Sequence, residues 1–311
     1  MKGNLRMAVV GVGHHGKHHV RILSAMKGVS LVGVSDINDE RRSEVAAQYG
    51  VRSFLDIREI LNHIDAVVVA VPTNAHIDVA LPFLEHGINV LVEKPISASL
   101  LEADKLLSAA KNSDVLLAVG HTERFNPAIA VASPLIIKPR FVEVHRLGVF
   151  QERSLDINVI YDLMIHDLDV LLALVNSEVV SVEAVGVAVL SKNTDIANAR
   201  IRFNSGCIAN VTASRISRDR VRKIRFFQED SYVSIDYAAQ QVEAYTVLPK
   251  DGHSVIQGGS LDTKKEEPLV RELRDFVESV QMCRSPLVNG LSGRNALDLA
   301  TKIEEKMTVD Q

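Results

Sequence analysis

The chain has 311 residues, 47% hydrophobic and 24% charged, with a formal net charge of -4 and two cysteines. That length suits two domains, each able to bury its own core, and the mild acidity argues against a dedicated nucleic-acid binder. No apolar run approaches the roughly 18–20 residues that a membrane span needs. The start, Met1 to Arg6, carries no signal-like apolar stretch, so a cytoplasmic protein without membrane contact is expected. Cys207 and Cys283 lie far apart outside any CxxC pattern and are expected as free thiols.

From residue 5 to about 121, short apolar runs alternate with amphipathic ones, the pattern of βα units around a parallel sheet. Leu5–Gly11, Leu31–Asp36, Ala66–Val71, Val90–Glu93 and Val115–Gly120 are apolar on both parities, as strands covered on both faces must be. A shorter strand is expected near Val51–Phe54. The stretches between them repeat apolar residues every three or four positions and read as helices. The fold class is therefore α/β: a doubly wound Rossmann domain over 1–122, then an α+β domain over 123–311 built on a large open, mostly antiparallel sheet. Its expected strands are Phe141–Gly148, Val180–Leu190, Ala197–Phe203, Cys207–Ser214, Lys223–Gln228, Val233–Asp236 and Val242–Val247. Helices are expected at about Val159–Leu174, Pro268–Met282 and Gly293–Met307.

Between the first strand and first helix stands Gly11-Val12-Gly13-His14-His15-Gly16, a GxGxxG in the context where it has a mechanism. Gly11 permits the tight turn, Gly13 lets backbone approach a pyrophosphate, and Gly16 allows close helix packing, with the helix N–H groups of His14 and His15 facing the phosphates. Asp36 closes the second strand at the spacing where a carboxylate meets the adenosine ribose hydroxyls and repels a 2′-phosphate. NAD is the expected cofactor, although Arg41 and Arg42 follow closely. His14, His15, His18 and His19 form two i,i+4 pairs, yet no acid or cysteine nearby completes a ligand set, and no metal is expected.

Two further runs close sheet strands: Val71-Pro72-Thr73-Asn74-Ala75-His76 and Val92-Glu93-Lys94-Pro95. Ligands of open α/β sheets bind outside the carboxyl ends of the strands, so Thr73, Asn74, His76, Glu93 and Lys94 are expected at the nicotinamide half. The E-K-P run after a GxGxxG domain resembles the glucose–fructose oxidoreductase, inositol dehydrogenase and rhizopine-catabolism (Gfo/Idh/MocA) family. The resemblance continues through Gly120 to Pro127 and through Asp162-Leu163-Met164-Ile165-His166-Asp167-Leu168-Asp169.

In that last run Asp162, His166 and Asp169 fall at i, i+4 and i+7 on one helix face. The resemblance implies that His166 takes the hydroxyl proton, Asp162 orients its imidazole and Lys94 polarises the oxygen. The stretch from Arg146 through Arg153 to Asp169 is similar to the nucleotide-sugar oxidoreductases of the family, which implies oxidation at C3 of UDP-N-acetylglucosamine. Arg124, Arg146 and Arg153 are forked donors suited to a diphosphate, and Asn158 suits a sugar hydroxyl. A free sugar, inositol or diol is the alternative substrate, and a dinucleotide-sensing protein without turnover the alternative class. The basic run from Arg215 to Arg225 reads as a hairpin rim serving a subunit contact or an anionic substrate. The sheet face opposite the helices, with Val182, Ala184, Ile201, Phe203, Ile208 and Val211 divided between its two sides, is expected to pair with its copy in a homodimer or homotetramer.

Overall fold

The computed structural model describes residues 4–150, 157–250 and 253–308. Ten elements fill the N-terminal part: β1 (Leu5–Val10), α1 (His14–Ala25), β2 (Val29–Ser35), α2 (Asp39–Tyr49), β3 (Arg52–Phe54), β4 (Ala66–Val69), α3 (His76–Glu85), β5 (Asn89–Glu93), α4 (Leu100–Asn112) and β6 (Leu117–Gly120). The strands are all parallel, in the order β3-β2-β1-β4-β5-β6. Strands β4 and β6 are buried at every position, which is why their sequences do not alternate. Between β1 and β4 the strand order reverses, and it is beyond the carboxyl ends at such a point that open α/β sheets bind their ligands.

The rest of the chain runs α5 (Pro127–Ala132), β7 (Phe141–Leu147), a five-residue π-turn at Ile160–Met164, α6 (Ile165–Val175), β8 (Val179–Val187), β9 (Ile196–Phe203), β10 (Ile208–Ser214), β11 (Val221–Phe227), β12 (Ser231–Asp236), β13 (Gln241–Lys250), β14 (His253–Leu261), α7 (Pro268–Met282) and α8 (Gly290–Thr308). The eight strands form one sheet in the order β14-β13-β12-β11-β7-β10-β9-β8. It is antiparallel except for β7 beside β10. The expected large, mostly antiparallel sheet is present; β14 extends it beyond the strands read from sequence.

The chain divides into two compact units, Met1–His121 with Leu269–Arg294, and Thr122–Pro268 with Asn295–Gln311. The second is therefore not the continuous 123–311 segment expected. The physical reason lies in α7: Leu273, Phe276 and Val277 join the core of the first unit, among Met7, Val9, Leu23, Val34 and Val68. In the second unit the sheet is covered instead by residues of α5, α6 and α8, with Ile129, Leu168, Leu171, Leu299 and Ile303 in one buried cluster.

The alternation of the second sheet sorts its residues. Val182, Ile201, Phe203 and Val211 are buried in the cluster beneath the helices, and Ala184 packs against it, so the division of these six residues leaves only Ile208 on the open side. That side carries Asn198, Arg200, Arg202, Asn210 and Thr212 beside an aromatic row, Phe141, Phe227, Tyr232 and Tyr245, with successive centroids 5.6, 5.2 and 6.3 Å apart. A loop hub also belongs to this unit. Asp195 Oδ2 accepts the backbone N–H groups of Val189, Leu190 and Ser191. Burial alone would raise this carboxyl, but the Ser191 hydroxyl and those N–H groups hold it at about 2.

Candidate active site

The phosphate turn is built by backbone geometry. Gly11 adopts φ +84, and a Cβ there would meet the Ala70 carbonyl oxygen at 2.5 Å; one on Gly16 would stand 1.8 Å from the Gly11 carbonyl oxygen. Gly13 differs, because a Cβ there would meet only the Arg41 Nη1 at 3.3 Å. Protein packing does not demand glycine at that position; a ligand approaching the backbone does. Gly13 is also the N-cap of α1 and supplies no side-chain cap, so the first turn keeps its N–H groups for phosphates. The residues present thus fit a dinucleotide. His14 and His15 stand in that turn, with the His14 ring edge-on to those of His15 and His18 at 5.4 Å. Burial lowers the His15 imidazole from its ordinary value; Glu93 opposes this, while Lys94, His14 and His19 add to it.

Asp36 is buried, and Oδ2 accepts the Val12 N–H at 2.9 Å while Oδ1 accepts that of Asn38 at 2.8 Å. Its carboxylate therefore also ties the phosphate turn to the end of β2. Arg41 stands 3.6 Å from it. Arg42 is turned inward, donating to the Asp36 carbonyl at 2.7 Å and to Ser53.

Beyond β4, Thr73–Ala75 form a 3₁₀ turn, with Thr73 half-buried and Asn74 exposed. Glu93 ends β5, and Lys94 follows with a cis bond to Pro95. His76, expected at the cofactor, is instead a brace. It is buried, with Nδ1 2.9 Å from the Pro95 carbonyl and Nε2 3.0 Å from that of Val71, so both ring nitrogens face backbone oxygens. Burial pulls the imidazole below its ordinary value, against the pull of those carbonyls and of Glu93. Glu93 is likewise engaged within the protein, through His19 and the Lys94 N–H.

In the second unit Asp162 lies in the π-turn and His166 in the first turn of α6, both half-buried. The Ile165 N–H reaches back to the Ile160 carbonyl, so the i, i+4, i+7 face read from sequence starts with an extra residue in its turn. Such turns concentrate at functional sites. Tyr161 and Asn158 fasten this one: the Tyr161 hydroxyl donates to Glu304 Oε2 at 2.6 Å and Asn158 Nδ2 to Oε1 at 3.0 Å. Asn158 Oδ1 also accepts the Ile160 N–H. Its amide therefore caps the turn, which corrects the expectation that it holds a sugar hydroxyl.

Two of the three arginines expected for a diphosphate are engaged within the protein instead. Arg146 is buried and forks onto Asp167, Nε to Oδ2 at 2.5 Å and Nη2 to Oδ1 at 2.9 Å, with Nη1 on Glu123 at 3.1 Å. Burial works against this cation, but Asp167 and Glu123 more than reverse it and raise its pKa. Arg124 donates to the Asp169 carbonyl and Oδ1 at 3.2 and 3.3 Å. Burial pushes the Asp169 carboxyl up to about 7 despite Arg124. Arg153 lies outside the described residues. His19, Glu123, Asp167 and Glu304 carry this architecture and were not singled out as site residues; the one sequence signal was an ionisable residue on an otherwise apolar helix face.

Residues 5–121 match the model of an oxidoreductase family with an NAD-binding Rossmann fold, GFO_IDH_MocA, and residues 139–232 that of the GFO/IDH/MocA C-terminal domain. UDP-N-acetylglucosamine 3-dehydrogenase of Acidithiobacillus ferrooxidans is 37% identical over 305 residues, 96% of each chain. A solved structure of that enzyme superposes with a TM-score of 0.93 over 99% of both chains at 36% identity. The NAD(+)-dependent scyllo-inositol 2-dehydrogenase of Bacillus subtilis is 28% identical over 96% of this chain and 93% of its own. Levoglucosan dehydrogenase in complex with NADH and levoglucosan shares the fold at a TM-score of 0.88, 19% identity and coverage of 99% and 98%.

Proposed function

Because the chain belongs to the Gfo/Idh/MocA family of NAD-binding oxidoreductases, we propose that it oxidises a nucleotide sugar, at C3 of UDP-N-acetylglucosamine. The observation that carries this substrate is the 37% identity, spread over 96% of both chains, to an enzyme named for that reaction. Lys94 is the central residue of the E-K-P run in the first unit, and the second presents Asp162 and His166 on the π-turn and α6. In the proposed chemistry His166 accepts the proton of the C3 hydroxyl and Asp162 steadies its imidazole. Lys94 places its positive charge on the oxygen as negative charge develops there. NAD, when bound, supplies the acceptor for the hydride leaving the same carbon, so the C–O single bond becomes a ketone.

With Arg146 and Arg124 paired internally, the diphosphate falls to the basic rim at Arg218, Arg220 and Arg222. Arg222 supports this, since its side chain is 53% exposed and its contact with Glu123 is a long one, at 4.0 Å. The proposal places the enzyme in a reducing cytoplasm, which suits one buried and one exposed free cysteine; among the described residues no helix is long and apolar enough to cross a membrane. Assembly as a homodimer or homotetramer is proposed through the open face of the eight-stranded sheet, where the aromatic row offers the apolar area. The deciding experiment is a panel of UDP-sugars, free sugars and inositols followed by NADH absorbance. Turnover with UDP-N-acetylglucosamine and a C3 ketone product is expected; turnover confined to inositols or free sugars would replace the substrate.

A further inference from the structure

One buried pair links the phosphate-binding helix to the loop that carries Lys94. His19 is fully buried on α1, and its Nε2 lies 2.7 Å from Glu93 Oε1. The other carboxylate oxygen, Oε2, accepts the backbone N–H of Lys94 at 3.3 Å. Space for this carboxylate is kept by Gly120 on β6, where a Cβ would stand 3.0 Å from Oε2. The second nitrogen of the His19 ring, Nδ1, is buried without a hydrogen-bond partner among the described residues. An unmet buried nitrogen is costly, and an aliphatic side chain would suit this helix face better. The histidine is explained by its contact with Glu93.

Resting on the assignment of Lys94 to the reacting oxygen, we infer that His19 and Glu93 are a positioning pair that fixes the Lys94 backbone and so aims its ammonium group. The helix whose first turn meets the cofactor phosphates is thereby tied by two hydrogen bonds to the residue that meets the substrate.

The charges around Glu93 agree with this. Burial alone would raise its carboxyl, but the His19 hydrogen bond, followed by the charges of His19, His15 and Lys94, brings it to about 2. The groups facing it are His15 and His19 from α1, Lys94 from its own loop and His76 from α3. Without the His19 ring, burial gains the upper hand and the carboxyl moves up toward working pH.

The test compares His19→Leu, His19→Gln, Glu93→Gln and the double variant H19L/E93Q in the full-length enzyme. NADH affinity is read by fluorescence, kcat and KM across pH by absorbance, and the Glu93 carboxyl by ¹³C NMR in glutamate-labelled protein without substrate. The Glu93 signal is assigned by its loss in Glu93→Gln. His19→Leu is expected to hold NADH within about threefold while kcat falls about 10- to 100-fold, the scale of a displaced catalytic group. Its Glu93 carboxyl should titrate at least ~2 pH units higher, and activity should acquire a new fall toward acid pH. His19→Gln, whose amide can donate from nearly the same place, should recover most of the loss. In the double variant the acid limb should vanish, with kcat no lower than in the worse single variant.

A packing role alone would lower Tm and leave the carboxyl and the pH profile in place, and that result would overturn the inference. So would a His19→Gln variant no better than His19→Leu. If His19→Leu does not fold, Glu93→Gln decides: unchanged kcat counts against the pair, and lowered kcat with NADH binding retained supports it. Full activity in Lys94→Ala would instead remove the catalytic assignment, a result distinct from the NMR titration.

Discussion

Arg146 and Asp167 face each other in a two-pronged contact inside the second unit, at 2.5 and 2.9 Å, with both side chains almost wholly out of water. An arginine so held has no fork left for a substrate. Arg146→Met leaves Asp167 buried without its cation, and unfolding in urea should show a loss of about 3–5 kcal/mol. Arg146→Lys keeps the charge but not the fork and should lose less. A raised KM for the sugar substrate at unchanged stability would return Arg146 to the substrate site.

Cofactor choice should follow Asp36. Titration with NADH and NADPH is expected to show tighter binding of NADH, and Asp36→Ala should narrow the difference by at least about tenfold, roughly 1.4 kcal/mol. Arg41, 3.6 Å from that carboxylate, becomes available to a 2′-phosphate in the variant. An unaltered preference after Asp36→Ala would detach Asp36 from the ribose.

The chemistry should depend on Lys94 and His166. Lys94→Ala and His166→Ala are each expected to lower kcat by about 10²–10⁴-fold, the usual contribution of an acid–base group, with NADH affinity largely retained. A loss below tenfold in both would mean that the reacting atoms lie elsewhere.

Asp169 gives stability a pH dependence of definite sign. Its carboxyl titrates at about 7 in the folded chain, above the roughly 3.9 of an unfolded aspartate. The folded state therefore binds the extra proton, and its contribution is full below about pH 4 and lost as pH rises through about 7, near 1.4 kcal/mol per pH unit in between. Asp169→Asn should flatten this, so that parent and variant, compared by urea unfolding, diverge from pH 5 to pH 8 with the parent losing stability. Parallel curves would place the Asp169 proton outside this range.

Assembly should respond to the aromatic row. Light scattering at micromolar concentration is expected to give a dimer or tetramer, and Phe227→Glu, between Phe141 and Tyr232, should shift it to monomer. A parent protein that is monodisperse near 34 kDa would rule this assembly out.

What could be read from the sequence was what local chemistry dictates. Strands buried on both faces, such as Ala66–Val69, must be apolar throughout, and Gly11 at φ +84 announces its turn in the GxGxxG spacing. Partners across long separations leave no such trace. His19 and Glu93 are 74 positions apart and Asn158 and Glu304 146, so an arginine or asparagine that reads as a ligand donor is equally a donor to a distant carboxylate. The π-turn was invisible for another reason: Ile160 to Met164 satisfy helical periodicity with either spacing. The amphipathic pattern of α7 shows that one face is buried but not against which sheet, so its place in the first unit could not be read from it.

That helix has a consequence for how the protein is made. Leu273, Phe276 and Val277 lie in one core with Met7, Val9 and Leu23, so the wall of the parallel sheet is closed by residues translated only after the last strand of the other sheet. Emerging from the ribosome, the nascent Rossmann strands wait with that flank bare while the whole antiparallel sheet is being made, at roughly 5–20 residues per second. The usual order, N-terminal unit first, is unavailable to this chain, and a fragment ending at residue 121 would expose the apolar surface that α7 covers.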